Sequence, residues 1–257
     1  MSVEAPIPQL PDRLDLWQQT LNWQPTAHQQ QQFQQLYGCI LIGNRQLNLT
    51  RLTEPIDFWE KHLWDSLRGI VPLLPTRDDT ALKVIDIGTG AGFPGLPIAI
   101  VCSQWRVTLL DSTHKKVAFL DSLRQELRLR QVRTRCDRVE TLGRSQRDTY
   151  DLALLRAVAS AVACAEYALP LLKVGGEAIL YRGQWTAAEA TALAAALPLL
   201  GGQLESIDAF ETPISLSVRH CLHLRKIAPT PVIFPRAIGL AVQKPLAIEP
   251  SSTVVEA

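Results

Sequence analysis

The segment Val84–Gly95, with the sequence VIDIGTGAGFPG, constrains the fold more than any other part of this 257-residue chain. It begins with an apolar run that is typical of a buried strand in a parallel sheet. Gly88, Gly90 and Gly92 follow, and glycines let the backbone turn sharply and approach a ligand without a side chain between them. Pro94 suits the first turn of a helix. The pattern predicts a ligand site at the carboxyl end of a central strand, where open α/β sheets bind ligands.

Strand-like and helix-like segments alternate from Leu82 to Leu199, which predicts an α/β fold with a mostly parallel sheet and helices on both faces. Two final strands without a helix between them predict one antiparallel edge strand in a sheet of about seven strands. The predicted strands are Leu82–Ile87, Arg106–Leu110, Val132–Cys136, Tyr150–Leu155, Glu177–Tyr181, Gln203–Phe210 and Ser217–Lys226. The predicted helices between them are Leu96–Cys102, Lys115–Arg130, Ala159–Leu172 and Ala187–Leu199.

Two further helices are predicted before the sheet. The first spans Leu14 to Leu41 and includes the glutamine run Gln29–Gln35, which is interpreted as a solvated face. The second spans Ile56–Ile70 and is ended by Pro72 and Pro75. We therefore expect a single domain with three parts, which are an N-terminal helical part (14–75), an α/β core (82–226) and an extended C-terminal arm (227–257) that ends in disorder.

Composition excludes several classes of protein. Hydrophobic residues make up 47% of the chain and the net charge is +1, so any surface for nucleic acid must be local. No apolar run approaches the roughly 18 residues of a membrane span, and no signal-peptide pattern opens the chain. The five cysteines include no C-x-x-C pair, which argues against a disulfide framework or a metal site. We expect a cytoplasmic protein with reduced thiols.

Two cofactors fit the glycine loop differently. A dinucleotide would place its anionic pyrophosphate there, and Gly90–Gly95 matches G-x-G-x-x-G, but Asp86 would then repel it. S-adenosylmethionine instead carries a cationic ammonium and a cationic sulfonium, which a carboxylate favours. Asp111 ends the second predicted strand, 23 residues beyond Gly88, near the spacing at which an acid meets ribose hydroxyls. The alternative for Asp111 is a helix N-cap.

Further motifs make the chain similar to the RsmG family of small-subunit ribosomal RNA methyltransferases, also called GidB. The similarity runs from about Gly43 to Leu246. Its marks are Asn48-Leu49-Thr50, His62, Asp65-Ser66, the DIGTGAGFPG loop, Leu110-Asp111-Ser112, Lys116-Val117, Arg138-Val139-Glu140, Arg156-Ala157, Arg219-His220 and Phe234-Pro235-Arg236. The resemblance implies a Rossmann-like fold, S-adenosylmethionine as cofactor, and methylation of nitrogen 7 of one guanine in the 16S RNA of the small ribosomal subunit.

The resemblance also implies which residues bind the cofactor. Beside Asp86 these are Gly88, Gly90, Phe93, Asp111, Ser112, Thr113, Val139, Glu140 and Arg156. Val139 and Glu140 follow the third strand, where a backbone N–H and a carboxylate would face the adenine. The residues expected to contact RNA are Arg138, Arg182, Arg219, Arg236 and Lys244. The other basic residues between Arg124 and Arg138 are interpreted as a solvated surface.

Methylation of guanine nitrogen 7 needs no general base, because the in-plane lone pair attacks without deprotonation. No catalytic residue is therefore assigned, and rate enhancement is expected from positioning. His62 and Asp65 are interpreted as a structural pair, while His220 and His223 point to opposite faces of a strand, so neither pair predicts a metal site. We expect a monomer. The alternatives are a methyltransferase for another RNA, protein or small molecule, a nicotinamide-dependent oxidoreductase, and a non-catalytic nucleoside-binding module.

Overall fold

A seven-stranded sheet organises the computed structural model, which describes residues 6–74 and 81–246. The strands lie in the order β3-β2-β1-β4-β5-β7-β6. They are β1 Lys83–Ile87, β2 Arg106–Asp111, β3 Val132–Cys136, β4 Tyr150–Arg156, β5 Leu172–Arg182, β6 Gly202–Glu211 and β7 Val218–Lys226. β1 to β5 are parallel, β7 pairs antiparallel with β5, and β6 pairs antiparallel with β7 at the edge. The prediction of a mostly parallel sheet with an antiparallel edge is confirmed.

The strand order reverses between β1 and β4. The chain moves outward from β1 to β3 and then returns to β4 on the other side of β1. The connections at the carboxyl ends of β1 and β4 therefore lead in opposite directions, and this opens a crevice at that edge of the sheet. Two buried apolar clusters cover the sheet, one on each face. Because the central strands are buried on both faces, their sequences are nearly continuous apolar runs.

Ten α-helical segments are found in the described ranges. They are α1 Leu14–Leu21, α2 Ala27–Leu47, α3 Pro55–Phe58, α4 Asp65–Arg68, α5 Gly95–Val101, α6 His114–Glu126, α7 Val139–Ser145, α8 Ala161–Ala168, α9 Ala187–Leu200 and α10 Leu240–Gln243. A π-helical segment, Trp59–Trp64, joins α3 to α4, so the predicted helix Ile56–Ile70 exists with a widened middle. Pro75 lies outside the described residues. Within these ranges, no helix combines the length and apolar character that crossing a bilayer requires.

The single helix expected from Leu14 to Leu41 is wrong. Asn22 adopts a left-handed conformation and ends α1, and Thr26 begins α2 with a capping box to Gln29. The glutamine run is also more than a solvated face. Gln29, Gln32 and Gln35 donate to backbone carbonyls of Val101, Leu127 and Glu126, so the run attaches α2 to the helices of the core.

The C-terminal arm was expected to be extended and to end in disorder. Its described part, up to residue 246, packs on α7 and α8 and contains the short helix α10. Residues 247–257, on which the expected disorder falls, lie outside the described part. The sequence pattern also gave no sign of α7, which follows β3 directly. Both short helices lie at the carboxyl edge of the sheet, where the candidate site is found.

Candidate functional site

Two glycines of the loop between β1 and α5 are needed for different reasons. Both have positive φ, +59° at Gly90 and +98° at Gly92. A Cβ on Gly92 would lie 2.3 Å from a Leu96 side-chain carbon, so that glycine is required by packing. A Cβ on Gly90 would meet no atom closer than the Gly88 carbonyl at 4.0 Å. The space beside Gly90 is therefore open to a ligand.

Asp86 stabilises the loop from below. Its side chain is fully buried, and Oδ2 accepts hydrogen bonds from the Thr89 hydroxyl at 2.6 Å and from the Gly95 N–H at 2.8 Å. Burial raises the pKa of Asp86 to about 6, although these hydrogen bonds favour the carboxylate. Oδ1 is buried without a hydrogen-bond partner among the described residues. The structure thus adds a loop-closing role, and contact with a cationic cofactor stays a prediction.

Asp111 lies beside the loop, at the end of β2. Its Oδ2 accepts from the Gly90 N–H at 3.0 Å, and its Oδ1 accepts from the Thr113 N–H at 2.8 Å. Thr113, not Asp111, occupies the N-cap position of α6, so the capping alternative is wrong. Asp111 fixes the glycine loop against β2 and still presents carboxylate lone pairs at the cavity below.

A cavity of about 260 Å³ opens at the carboxyl ends of β1, β2 and β3, near the lower limit of roughly 300 Å³ for small-molecule pockets. Of the predicted cofactor residues, Gly88, Asp111, Ser112 and Val139 line it, with Arg138 at its rim. Three residues that the sequence did not suggest complete its wall, Val158, Tyr167 and Val242. The open backbone at Gly90, the acid at the end of β2 and the apolar walls fit a nucleoside cofactor.

Glu140 lies in the first turn of α7. Its carboxylate is buried and does not line this cavity; it accepts hydrogen bonds from the Gly239 N–H, the Tyr167 hydroxyl and the Arg138 guanidinium. The carboxylate therefore anchors the C-terminal arm, and its expected contact with an adenine stays a prediction. Because Val242 follows shortly after Gly239, this anchor also positions the wall of the cavity.

Arg236 is the second anchor of the arm. Its guanidinium forms a bidentate ion pair with Glu166 of α8, with Nη2 2.6 Å and Nε 3.0 Å from the carboxylate, whose side chain is 1% exposed. Arg147 of the core also donates to the carbonyls of Thr230 and Phe234. The Nε and Nη2 groups of Arg236 are thus engaged inside the protein, and its expected contact with RNA stays a prediction. Lys244, in the same arm, is exposed.

Phe93, His62 and Arg156 form one cluster between the glycine loop and the N-terminal helices. The rings of Phe93 and His62 stack with centroids 4.2 Å apart, and the Arg156 guanidinium lies 5.7 Å from the centre of the Phe93 ring. Arg156 pairs with Asp65 at 2.9 Å. The predicted His62–Asp65 pair is thus bridged by an arginine from β4. Phe93 is buried in this cluster, and Thr50 completes it through a 2.8 Å hydrogen bond to His62.

The tautomer of His62 follows from its two partners. An arginine can only donate, so Nδ1 accepts from Arg156 and Nε2–H donates to the Thr50 hydroxyl. Burial, reinforced by the positive charge of Arg156, lowers the pKa of His62 to about 3. The imidazole is therefore neutral near pH 7, and both of its nitrogens are occupied.

His62 should make the protein less stable to acid. Between pH 6.5 and pH 3 the unfolded chain protonates this histidine while the folded chain does not, so acidification favours unfolding. We expect the free energy of unfolding of the wild type, relative to His62→Gln, to fall by about 2 kcal/mol from pH 7 to pH 5. Asp86 opposes this trend, but equally in both proteins. Urea unfolding at the two pH values measures the difference.

The control for this experiment is His28→Gln, since His28 is an exposed residue of α2. It should follow the wild type at both pH values. Parallel curves for wild type and His62→Gln would show that His62 is protonated in the native protein, in contradiction to its buried, neutral setting.

A second, larger cavity of about 760 Å³ lies next to the first. It is bounded by the N-terminal helices, the ends of β4 and β5, and the β6–β7 hairpin. Ala157 lines the large cavity and Val158 the small one, so the two meet at the turn after β4. This turn is strained at Ala157, where φ is +56°. Polar and cationic side chains line the large cavity, among them Lys61, His62, Asp65, Arg156, Arg182, Arg219 and His220.

Two of the predicted RNA residues, Arg182 and Arg219, thus lie in the large cavity. Some donors of Arg182 are already used inside the protein, because it donates to the Ala159 carbonyl and pairs with Glu189 at 2.6 Å. Its Nε has no partner among the described residues.

His220 and His223 point to opposite faces of β7 as expected, with His223 buried against Glu177 at 2.6 Å. In the described ranges, no group of three or more His, Cys, Asp or Glu residues is arranged to hold a metal ion.

Comparison with known sequences places these features in a family. The sequence model of the GidB family, described as rRNA small subunit methyltransferase G, matches residues 29–220. A protein of Nostoc punctiforme named ribosomal RNA small subunit methyltransferase G is 59% identical over 240 residues, which cover 92% of this chain and 98% of the relative. A protein of the same name from a Synechococcus species is 54% identical over 250 residues, covering 95% and 96%.

Solved structures support the fold alone, because their sequences are distant. A SAM-dependent methyltransferase from Aquifex aeolicus superposes with a TM-score of 0.51 at 16% identity, over 70% of this chain and 97% of that one. A mutant of a 16S rRNA (adenine(1408)-N(1))-methyltransferase from Catenulisporales acidiphilia gives 0.50 at 14% identity, over 60% and 88%. The Rossmann-like methyltransferase fold is confirmed.

Proposed function

Because the chain belongs to the GidB family of rRNA small subunit methyltransferases, we propose that it methylates nitrogen 7 of one guanine in 16S ribosomal RNA, with S-adenosylmethionine as cofactor. The observation that carries the proposal is the junction of two cavities at one edge of the sheet. The smaller fits a nucleoside, and the larger is lined by arginines among apolar side chains and is wide enough for a nucleotide base. They meet at the strained turn after β4.

The small cavity supplies the groups that the cofactor requires. When bound, S-adenosylmethionine supplies an electrophilic methyl group on a sulfonium. Asp111 would accept hydrogen bonds from the ribose hydroxyls, and the backbone at Gly88 and Gly90 would allow close approach of the methionine part. Val139, Val158 and Val242 provide apolar contacts for the adenine. These side chains orient the reacting groups and exclude water from them.

The large cavity has room for the guanine, which becomes cationic on methylation. The carboxylate of Asp65 lies on its wall and offsets the charge of Arg156, which would otherwise oppose the developing positive charge. His62 does not act as a base, since it is neutral and both of its nitrogens are engaged. This supports a reaction driven by alignment, because nitrogen 7 already carries the attacking lone pair. Arg219 and Lys61, which also line this cavity, would contact phosphates of the RNA.

We further propose that the protein acts as a monomer in the cytoplasm, without a metal ion, on the RNA of the small ribosomal subunit. The cysteines support the location, because free thiols are usual in a reducing compartment. The free thiols are Cys39, Cys102, Cys136, Cys164 and Cys221.

Deletion of the gene tests the substrate. We expect the 16S RNA of the deletion strain to lose one 7-methylguanine, detected as the loss of a strand break after borohydride reduction and aniline cleavage. Wild-type protein supplied from a plasmid should restore the break, and the Gly90→Val variant should not. An unchanged cleavage pattern in the deletion strain would contradict the proposed substrate and leave the cofactor assignment intact.

A further inference from the structure

The end of the sheet opposite the cofactor cavity carries a groove of about 560 Å³ that is lined by cations. We call it the basic groove and define it by Lys83, Arg106, Arg130 and Arg133. Lys83 and Arg106 begin β1 and β2, whereas the cofactor residues follow the ends of these strands. A five-residue strand spans about 13 Å, so the groove is separate from the cavities described above.

Strand register places three of these cations on one face of the sheet. Lys83 pairs with Arg106, and Thr108 pairs with Arg133, in neighbouring parallel strands. Paired residues share a face, and so do residues two apart along a strand. The side chains of Lys83, Arg106 and Arg133 therefore project together. Arg130, in the loop before β3, joins them at the groove.

The four cations face no carboxylate among the described residues that line the groove. All four are exposed, and in the described part of the chain none takes part in an ion pair, while no acidic residue lines the groove. Asp151 lies beside Lys83 and attracts its charge, and its carboxylate also accepts the Lys83 backbone N–H and the Lys173 ammonium. Like charges at paired strand positions destabilise a sheet, and Lys83 pairs with Arg106. An anion in the groove would relieve this repulsion and would compensate the charges of the three arginines.

The neighbouring arginines show that this feature is local. Arg124 pairs with Asp121, Arg135 with Asp137 and Arg138 with Glu140. These three agree with the interpretation of the basic stretch as an ordinary solvated surface. Arg130 and Arg133 do not, because they face the groove.

The rest of the lining favours a nucleic acid over a protein. Gln104, Thr108, Gln131 and Thr149 add polar groups, and none of the exposed large hydrophobic residues lies in the groove. Protein interfaces have an apolar centre, whereas phosphate backbones are bound by cations and hydrogen-bond donors. We propose that the basic groove binds the phosphate backbone of the RNA substrate, at a segment away from the methylated base. This inference rests on the proposed function.

The test measures binding of the full chain to unmodified 16S RNA transcript over a range of KCl concentrations. The double variant Arg106→Gln/Arg133→Gln should weaken binding about tenfold near physiological salt. It should also lower the slope of log K against log salt by about 1.4, or 0.7 for each lost contact to single-stranded RNA. Its affinity for S-adenosylmethionine, measured by calorimetry, should not change.

The matched control is Arg45→Gln/Arg128→Gln, which removes two exposed arginines outside the groove. It should keep the wild-type slope. Lys83→Gln adds an independent measurement, because it removes a third cation from the groove and should also weaken RNA binding and lower the slope.

Each outcome separates the groove from the active site. A lower slope of log K against log salt in the groove variant, with the wild-type slope in the control, supports the proposal. The wild-type slope in the groove variant, or an equal loss in the control, overturns it. An acidic protein segment would then be the class of ligand that the groove fits. If the wild-type protein methylates no 16S RNA at all, the proposed function itself fails.

Discussion

Replacement of Gly90 by valine is expected to abolish measurable binding of S-adenosylmethionine while the protein remains folded. A side chain at this position clears the protein, since its Cβ would lie 4.0 Å from the nearest atom, and it enters the space in which the cofactor is expected. We expect the Kd to rise at least about 100-fold, which corresponds to about 2.7 kcal/mol. Calorimetry measures the affinity, and thermal unfolding checks the fold.

Two other glycines provide control variants for this prediction. Gly175 has φ +86° and no atom within 4 Å of an added Cβ, so Gly175→Val imposes similar backbone strain far from the cavity and should bind the cofactor normally. Gly92→Val should instead unfold the protein, because of the 2.3 Å approach to Leu96. Normal binding by Gly90→Val, or equal loss in Gly175→Val, would show that the loop does not hold the cofactor.

The second large effect is expected from Arg236→Ala. This change leaves the Glu166 carboxylate buried without its partner, and breaking such a pair costs about 3 kcal/mol of folding free energy. It also frees the arm that carries Val242 into the cofactor cavity. We therefore expect the affinity for S-adenosylmethionine to fall at least about tenfold, an effect of about 1.4 kcal/mol. Urea unfolding and calorimetry measure the two losses.

Controls for Arg236→Ala separate anchoring from RNA contact. Glu166→Gln in the Arg236→Ala background removes the unpaired charge and should recover part of the stability. Lys244→Ala alters an exposed residue of the same arm and should leave cofactor binding unchanged. If Arg236→Ala instead lost salt-dependent RNA binding with full cofactor affinity, Arg236 would be an RNA ligand, as the sequence predicted.

Sequence patterns predicted the sheet well, because its signals are local. Apolar runs between turn residues located every strand, and Val132–Cys136 was predicted with the bounds that the structure has. The loop and Asp111 were found for the same reason, since a glycine turn and an acid at a strand end can be read in a few residues. α1 and α2 were merged because the break at Asn22 depends on a left-handed residue that the helical period does not reveal.

The contacts that complete the site could not be read in this way. Gly239 meets Glu140 across 99 residues, and Arg236 meets Glu166 across 70. One signal was available: Glu166 is the only charged residue in the apolar helix Ala161–Ala168, and a buried carboxylate requires a partner. The sequence showed this need and did not show that Arg236 meets it.

The anchored arm has a consequence for the order in which the protein matures during translation. The strands and the glycine loop are synthesised before residue 227, and they can form the sheet once they emerge from the ribosome. The wall that includes Val242 emerges later. A nascent or truncated chain that stops before Leu240 would fold its sheet with an incomplete cavity. Competence to bind the cofactor is therefore acquired late in synthesis, after the sheet is already in place.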